Sequence, residues 1–285
     1  MVVKLQKRHL LMLLLFLLCM GCATETALQT PSGIKYKHIV RKKPRPLQIH
    51  VLRIDLRRRN LVLAVDVGDD PDGDGPAETI LMMPSAHAKR SELLAGVNAN
   101  AWRMVPPPPK GESPMYIAGR ACNIGGWAVV EGRECSPVRK NYWSFWVDEN
   151  GQAKLGNIAK PRPGTRWAVA GFGGLIRDGE ILPGPSDKRH PRTALGIDRK
   201  GETLILAVVD GRQEGYSEGM STRELAELMA ELNCQDAMNL DGGGSSVMIR
   251  RDVDGDAKII NSPSGKYGPR PIPVMLGVCL RGKSR

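Results

Sequence analysis

Between two apolar runs lies the octapeptide Asn239-Leu240-Asp241-Gly242-Gly243-Gly244-Ser245-Ser246, and it limits what the surrounding chain can form. Three consecutive glycines suit neither a helix nor a strand interior, because each loses backbone entropy there and offers no side chain to pack. A carboxylate stands where a strand should end, and two hydroxyls follow. Such a stretch either turns a long hairpin, with Asp-Gly as its signal, or brings main-chain N–H groups against a ligand that any Cβ would hold off. In the second case, an acid beside exposed amides suits a substrate with an anionic or hydroxyl-rich part.

The N-terminus speaks to compartment. Lys4, Lys7 and Arg8 precede an apolar run from Leu10 to Met20, followed by Gly21-Cys22. That run is short for a bilayer span, which needs ~20 residues, and its basic, apolar, small-residue order is that of a secretory signal. Residues 1–21 are therefore read as a signal peptide of lipoprotein type. Cys22 is the lipidated residue, and ordinary cleavage with secretion is the alternative. Loss of three cations and no acid takes the formal net charge from +11 to +8. Much of the remainder is crowded into residues 22–46, where Lys35, Lys37, Arg41, Lys42, Lys43 and Arg45 surround Pro44 and Pro46. This segment reads as a basic linker between anchor and domain. No nucleic-acid motif accompanies the charge, and few aromatics interleave with it, so nucleic acid is excluded as a partner. Oligomeric state is not legible. Cys122, Cys135, Cys234 and Cys279 remain after processing. The local pairing is Cys122–Cys135, leaving Cys234–Cys279; reduced, buried thiols are the alternative.

Residues 47–285 read as a single domain. Strands are expected over Leu47–Leu56 and over Leu61–Val67, where Leu61, Leu63, Val65 and Val67 alternate. A helix follows around Ser85–Leu94. Residues 105–145 carry Pro106–Pro109 and several tryptophans, and read as an elaborated loop region rimming a site. Trp127 and Trp143 there, and Trp146 just beyond, could stack on sugar rings or pack in a core. Ser221 and Glu224 form a capping box ahead of Leu225, Leu228, Met229 and Leu232, one face of an amphipathic helix. Hairpin-linked strands mixed with helices imply an α+β fold, a mixed, largely antiparallel central sheet flanked by helices. Asp70, Asp72 and Asp74 resemble the start of a calcium loop, but Leu81 stands where the bidentate Glu belongs. Asp252, Asp254 and Asp256 repeat the alternation. Both read as solvated turns. No metal site is assigned and no cofactor is required, a divalent cation being possible without support.

Polar residues at the ends of apolar runs are the candidates for chemistry. They are Asn98 and Asn100, His190, Arg192 and Thr193, Asp210 with Arg212, Glu218, Asp241 and Arg270. Arginine suits bidentate phosphate recognition, and carboxylates serve as nucleophile, base or cation stabiliser. A hydrolase nucleophile elbow is disfavoured because Val247 stands where its last glycine would be. There is no Walker A loop and no H-E-x-x-H.

Taken together, PRTALGI (191–197), VVDGRQEGYSEGM (208–220), the helix at 225–232 and NLDGGGSS resemble the phosphodiester glycosidase family in order and spacing. GVNANAW (96–102) and NSPSGKYGPRPIPV (261–274) match its earlier asparagine motif and closing segment, with Trp102-Arg103 replacing the usual aromatic pair. The resemblance covers about residues 47–281. It implies an α+β fold and hydrolysis of an α-glycosidic phosphodiester; together with the signal segment, the reading is an exported, envelope-bound enzyme acting on a phosphodiester-linked glycan, bacterial members of the family being exopolysaccharide-related. In that reading Asp241 faces the anomeric carbon, with Asp210 or Glu218 as second carboxylate. Arg192 and Arg270 bind phosphate with the amides of Gly242, Gly243 and Gly244. Asn98, Asn100, His190, Thr193, Arg212 and Ser245 contact substrate. The alternatives are a non-catalytic polysaccharide-binding lipoprotein and a phosphodiesterase that cuts the P–O bond.

Overall fold

The computed structural model describes residues 32–112, 115–184, 186–252, 255–265 and 268–282. The signal segment and Cys22 lie outside them. The structure is 43% strand and 8% helix, with two α-helices among the described residues, so the expected α+β sheet flanked by helices is corrected to a mostly β architecture of several antiparallel sheets.

The largest sheet has seven strands in the order Ile34–Arg41, Leu47–Asp55, Thr203–Val209, Arg192–Ile197, Asp236–Asn239, Gly173–Arg177 and Glu180–Ile181. A five-stranded sheet runs Ala257–Ile259, Met248–Arg251, Ala95–Asn98, Val274–Leu280, Leu61–Val67. Another orders Ala153–Gly156, Trp143–Asp148, Thr165–Gly171, Ala128–Val130 and Arg133–Ser136. Thr79–Ile80, Ala121–Ile124 and Trp102–Met104 make a fourth, three-stranded sheet.

The physical reason for the correction is visible in the run Thr203–Val209. Leu204, Leu206 and Val208 enter a core shared by all three large sheets, alongside Val97, Leu276, Phe145 and Val169. Ile205, Ala207 and Val209 enter a second core under the helix Thr222–Glu231. Both faces are covered, so the strand reads as a continuous apolar run rather than an alternation. One face is covered by sheets and only the other by a helix. That helix, ten residues long, has the expected reciprocal capping box: Ser221 accepts from the Glu224 amide and Glu224 from the Ser221 amide. It buries Leu225, Leu228 and Met229, each contributing about 1.5–3 kcal/mol. The other helix, Pro84–Arg90, is shorter than the sequence suggested.

Two further expectations change. Residues 34–41, expected in the linker, form an edge strand paired in full register with Leu47–Asp55. Exposed Lys35 and Lys37 on that edge oppose strand-to-strand association with other chains. Arg45 is buried, donating to the Gly219 carbonyl and pairing with Glu224 at 2.7 Å. The four cysteines in the described region are free thiols. Cys122 packs with Leu81 and Met104 at the three-stranded sheet, and burial pushes its thiol up to about 12.

Candidate active site

The glycine octapeptide is a crossing between sheets. The strand Asp236–Asn239 ends beside Arg192–Ile197, with the Leu240 amide donating to the Thr193 carbonyl. The next amide, of Asp241, already donates to the Ala99 carbonyl at 2.9 Å, beyond the strand Ala95–Asn98. After a 3-10 turn over Gly243–Ser245, Met248 pairs with Val97 in that second sheet. Asp241 thus sits at the seam where the chain crosses between these two sheets.

Asn98 clamps this crossing. Its Nδ2 donates to the Asp241 carbonyl at 2.7 Å, while its Oδ1 accepts from the Val247 amide at 3.0 Å and the Thr193 hydroxyl at 2.8 Å. Asn261 holds the exit: its Oδ1 accepts from the Met248 amide at 2.8 Å, and its Nδ2 donates to Asp210 Oδ1 at 2.8 Å. Asn100 reaches away from the loop to the carbonyls of Gly125 and Trp127 and the amide of Ala170. Asn98, Asn100 and Thr193, all buried, are therefore held in protein–protein hydrogen bonds.

The glycines make room for two guanidinium groups. A Cβ on Gly243, whose φ is +65°, would lie 3.1 Å from the Arg212 guanidinium. A Cβ on Gly244 would lie 2.6 Å from that of Arg270. The Arg270 guanidinium is also capped by the Tyr116 ring at 3.7 Å from its centroid. The amide of Gly243 is already given to the Pro191 carbonyl. The loop therefore carries its positive charge chiefly through arginines laid on it.

Asp241 and Arg270 share a cavity of about 400 Å³, whose other lining includes Trp102, Arg103, Pro107, Pro108, Tyr116 and Phe172. Asp241 is the one carboxylate of that lining. Burial pushes its carboxyl up to about 6, against the opposing pull of Ser245, the Gly242 amide and Arg270. Three buried polar atoms of the octapeptide, Asn239 Oδ1, Ser245 Oγ and Ser246 Oγ, have no hydrogen-bond partner among the described residues. Ser245 lies near enough to favour the Asp241 anion, short of full hydrogen-bond geometry. Orphaned buried groups are costly, and these three lie in the octapeptide that carries Asp241 without lining the cavity themselves. A larger cavity, about 1050 Å³, opens beside Asp66, Arg90 and Trp167, and none of the candidate residues lines it.

The remaining candidates divide. Asp210 is 1% exposed and accepts from Asn261, the Ser262 amide and Tyr216, with His50 at 3.4 Å. Glu218 faces Arg189 at 3.5 Å and Arg45 at 4.0 Å. Neither lines the cavity with Asp241. Arg192 is buried and donates to the carbonyls of Met220 and Lys188. Arg212, at φ +60°, meets His190 Nδ1 at 3.2 Å. Burial, then Arg212, Arg192 and Lys188, hold the His190 imidazole below its usual range. Trp127 and Trp146 are core residues. The aromatics of the cavity are instead Trp102, Tyr116 and Phe172, and a glycine-flanked aromatic at Gly171-Phe172-Gly173 was the available signal for the last. Asp70 and Asp72 accept from turn amides of residues 72, 73 and 77. Among the described residues no three His, Cys, Asp or Glu side chains converge as metal ligands do; Asp254 lies outside them.

Comparison with known proteins bears on this arrangement. The family model for phosphodiester glycosidase matches residues 111–279, more than half of the chain and the octapeptide within it. This chain belongs to the phosphodiester glycosidase family. The N-acetylglucosamine-1-phosphodiester alpha-N-acetylglucosaminidase of Bos taurus is 45% identical over 58 residues, which are 20% of this chain and 10% of the bovine protein. The chain thus spans a small part of that relative's length. The SPbeta prophage-derived uncharacterized protein YomE of Bacillus subtilis is 26% identical over 196 residues, covering 59% of this chain and 25% of YomE. The zebrafish N-acetylglucosamine-1-phosphodiester alpha-N-acetylglucosaminidase catalytic domain, auto-inhibited by its pro-peptide, superposes with a TM-score of 0.61 at 21% identity. That match covers 86% of this chain and 81% of the zebrafish chain, and shows a shared fold. In this phosphodiester glycosidase family member the octapeptide, its two arginines and Asp241 make up the candidate active site.

Proposed function

We propose that this chain is an exported hydrolase that cleaves the glycosidic bond of a sugar-1-phosphodiester, of the N-acetylglucosamine-phosphodiester kind, in envelope or extracellular glycans. The observation that carries the reading is the cavity shared by Asp241, its carboxyl pushed up to about 6, and Arg270. Family membership and the name of the bovine relative favour the same chemistry. Export and a lipid anchor at Cys22 rest on the basic, apolar, small-residue order of residues 1–22.

The chemistry follows from the leaving group. A phosphate ester is weakly basic, so departure from the anomeric carbon needs little protonation. The demands are neutralisation of phosphate charge and stabilisation of a developing oxocarbenium ion. Arg270, and Arg212 on the other side of the glycine loop, meet the first. The Asp241 carboxylate meets the second and takes a proton from the attacking water. Phe172 and Trp102 line the cavity and offer aromatic surface to the sugar. Asp210 acts in this scheme through Asn261, fixing the loop rather than touching substrate.

The test is the pH profile of the wild type beside Asp241→Asn. Because the reaction requires the ionised carboxylate and its pKa is raised, kcat/KM falls as pH drops through about 6. Asp241→Asn lowers kcat by roughly 10²–10⁴-fold and removes that pH limb. A variant that keeps wild-type kcat contradicts the assignment.

A further inference from the structure

The cavity around Asp241 is of mixed character. Its lining joins one carboxylate and two guanidinium groups, those of Arg270 and Arg103, to a wall of Met104, Pro107, Pro108 and Tyr116. Tyr116 is flanked by Met115 and Ile117, 65% and 53% exposed. Among the described residues seven large hydrophobic side chains are exposed; two of them, Tyr116 and Phe172, line this cavity, and two more, Met115 and Ile117, adjoin Tyr116 in sequence. Such clustering marks a binding surface rather than scattered surface apolarity.

What covers the wall is fixed by what adjoins it. The Tyr116 ring lies on the Arg270 guanidinium, so the apolar surface begins where the phosphate-binding cation ends. A phosphodiester has two ester arms. If the sugar occupies Asp241, the second arm leaves the phosphate along this wall. A second sugar would find side-chain donors there only on Arg103, Trp102 and Tyr116, while Met104, Pro107 and Pro108 supply none. A hydrocarbon chain needs only area to cover.

We propose that the alcohol esterified to the sugar phosphate is aliphatic, and that its chain lies against Pro107, Pro108, Met115 and Ile117. The inference rests on the glycosidase reading and narrows its substrate to sugar 1-phosphates of long-chain alcohols. In the reaction, water oxygen bonds to the anomeric carbon and the bond from that carbon to the phosphate oxygen breaks, its electron pair remaining on phosphate. The products are the free sugar and an alkyl phosphate, and the displaced water proton passes to Asp241 and then to solvent.

Two measurements test this separately from the reading beneath it. Octyl phosphate and methyl phosphate, the products of the two ester lengths, are titrated calorimetrically into the full chain. Octyl phosphate binds at least about tenfold more tightly, a modest fraction of what burial of its extra methylenes would give, and M115S/I117S abolishes the difference. Equal affinities overturn the inference. So does an octyl preference that appears only above the aggregation concentration of the ligand, which would put the wall against a lipid surface. Hydrolysis of methyl and octyl N-acetylglucosamine 1-phosphate is then followed: a higher kcat/KM for the octyl ester, carried mainly by KM, is expected. Octyl binding without hydrolysis of either ester would overturn the glycosidase reading, and with it the substrate assigned here.

Discussion

Gly244 shows how a residue with no side chain can set the chemistry of a site. The sequence marks Gly242–Gly244 as a place where backbone must come close to something, and the candidates are a ligand or a turn. The partner turns out to include the protein itself: the Arg270 guanidinium occupies the space of a Gly244 side chain, and Arg212 that of Gly243. Adding one methyl group should therefore move a charge rather than break the fold. Gly244→Ala is expected to lower kcat/KM by at least about tenfold, the scale of one charge-assisted hydrogen bond, with the thermal midpoint within about 2 °C of wild type. Gly171→Ala is the contrasting case, because its Cβ would meet the Asn239 carbonyl oxygen at 2.3 Å, and backbone cannot swing aside. A Gly244→Ala enzyme with unchanged kinetics would remove Arg270 from phosphate binding. Of the candidate residues, Asp241 and Arg270 were legible because they stand beside glycine or proline at the ends of apolar runs. The burial of Asp210 and Arg192 was not legible, since a carboxylate before Gly211 reads alike whether it faces substrate or accepts from Asn261 and the Ser262 amide.

At the level of elements, legibility followed local chemistry. The helix Thr222–Glu231 was readable from Ser221, Glu224 and a 3.6-residue apolar stripe, all local signals. Ser221→Ala should cost about 1 kcal/mol, within a range of roughly 0.5–2, by releasing one end of the reciprocal cap. Urea denaturation measures this, and an unchanged midpoint would mean that packing of Leu225 and Met229 alone fixes the helix start. The strands between Trp102 and Ser136 were hidden. They are three or four residues long, too short to show a period, and their partners lie in other parts of the chain, as with Met104 and Cys122 or Thr79 and Cys122. The edge strand Ile34–Arg41 was hidden for another reason. Its lysines, with Pro44 and Pro46 close behind, spell a tether, although its pairing with the strand Leu47–Asp55 is complete.

The described residues form several antiparallel sheets, and Asp241 lies at the seam where the chain crosses between two of them. A flanking layer of helices was inferred because two helices were recognisable and many strands were not. The free thiols belong to the same scale. Cys122 and Cys135 stand in different sheets, and Cys234 and Cys279 in different cores. Reductant should leave the thermal midpoint unchanged. Two structural disulfides would instead show a drop of roughly 10 °C or more, since each contributes about 2–5 kcal/mol. In the reaction proposed for this seam, the bond broken is the one between the anomeric carbon and oxygen, with Asp241 on the carbon side and arginines on the phosphate. Hydrolysis of a sugar-1-phosphodiester in ¹⁸O-water measures this directly. The account predicts label in the released sugar and none in the phosphate; label in the phosphate would contradict it.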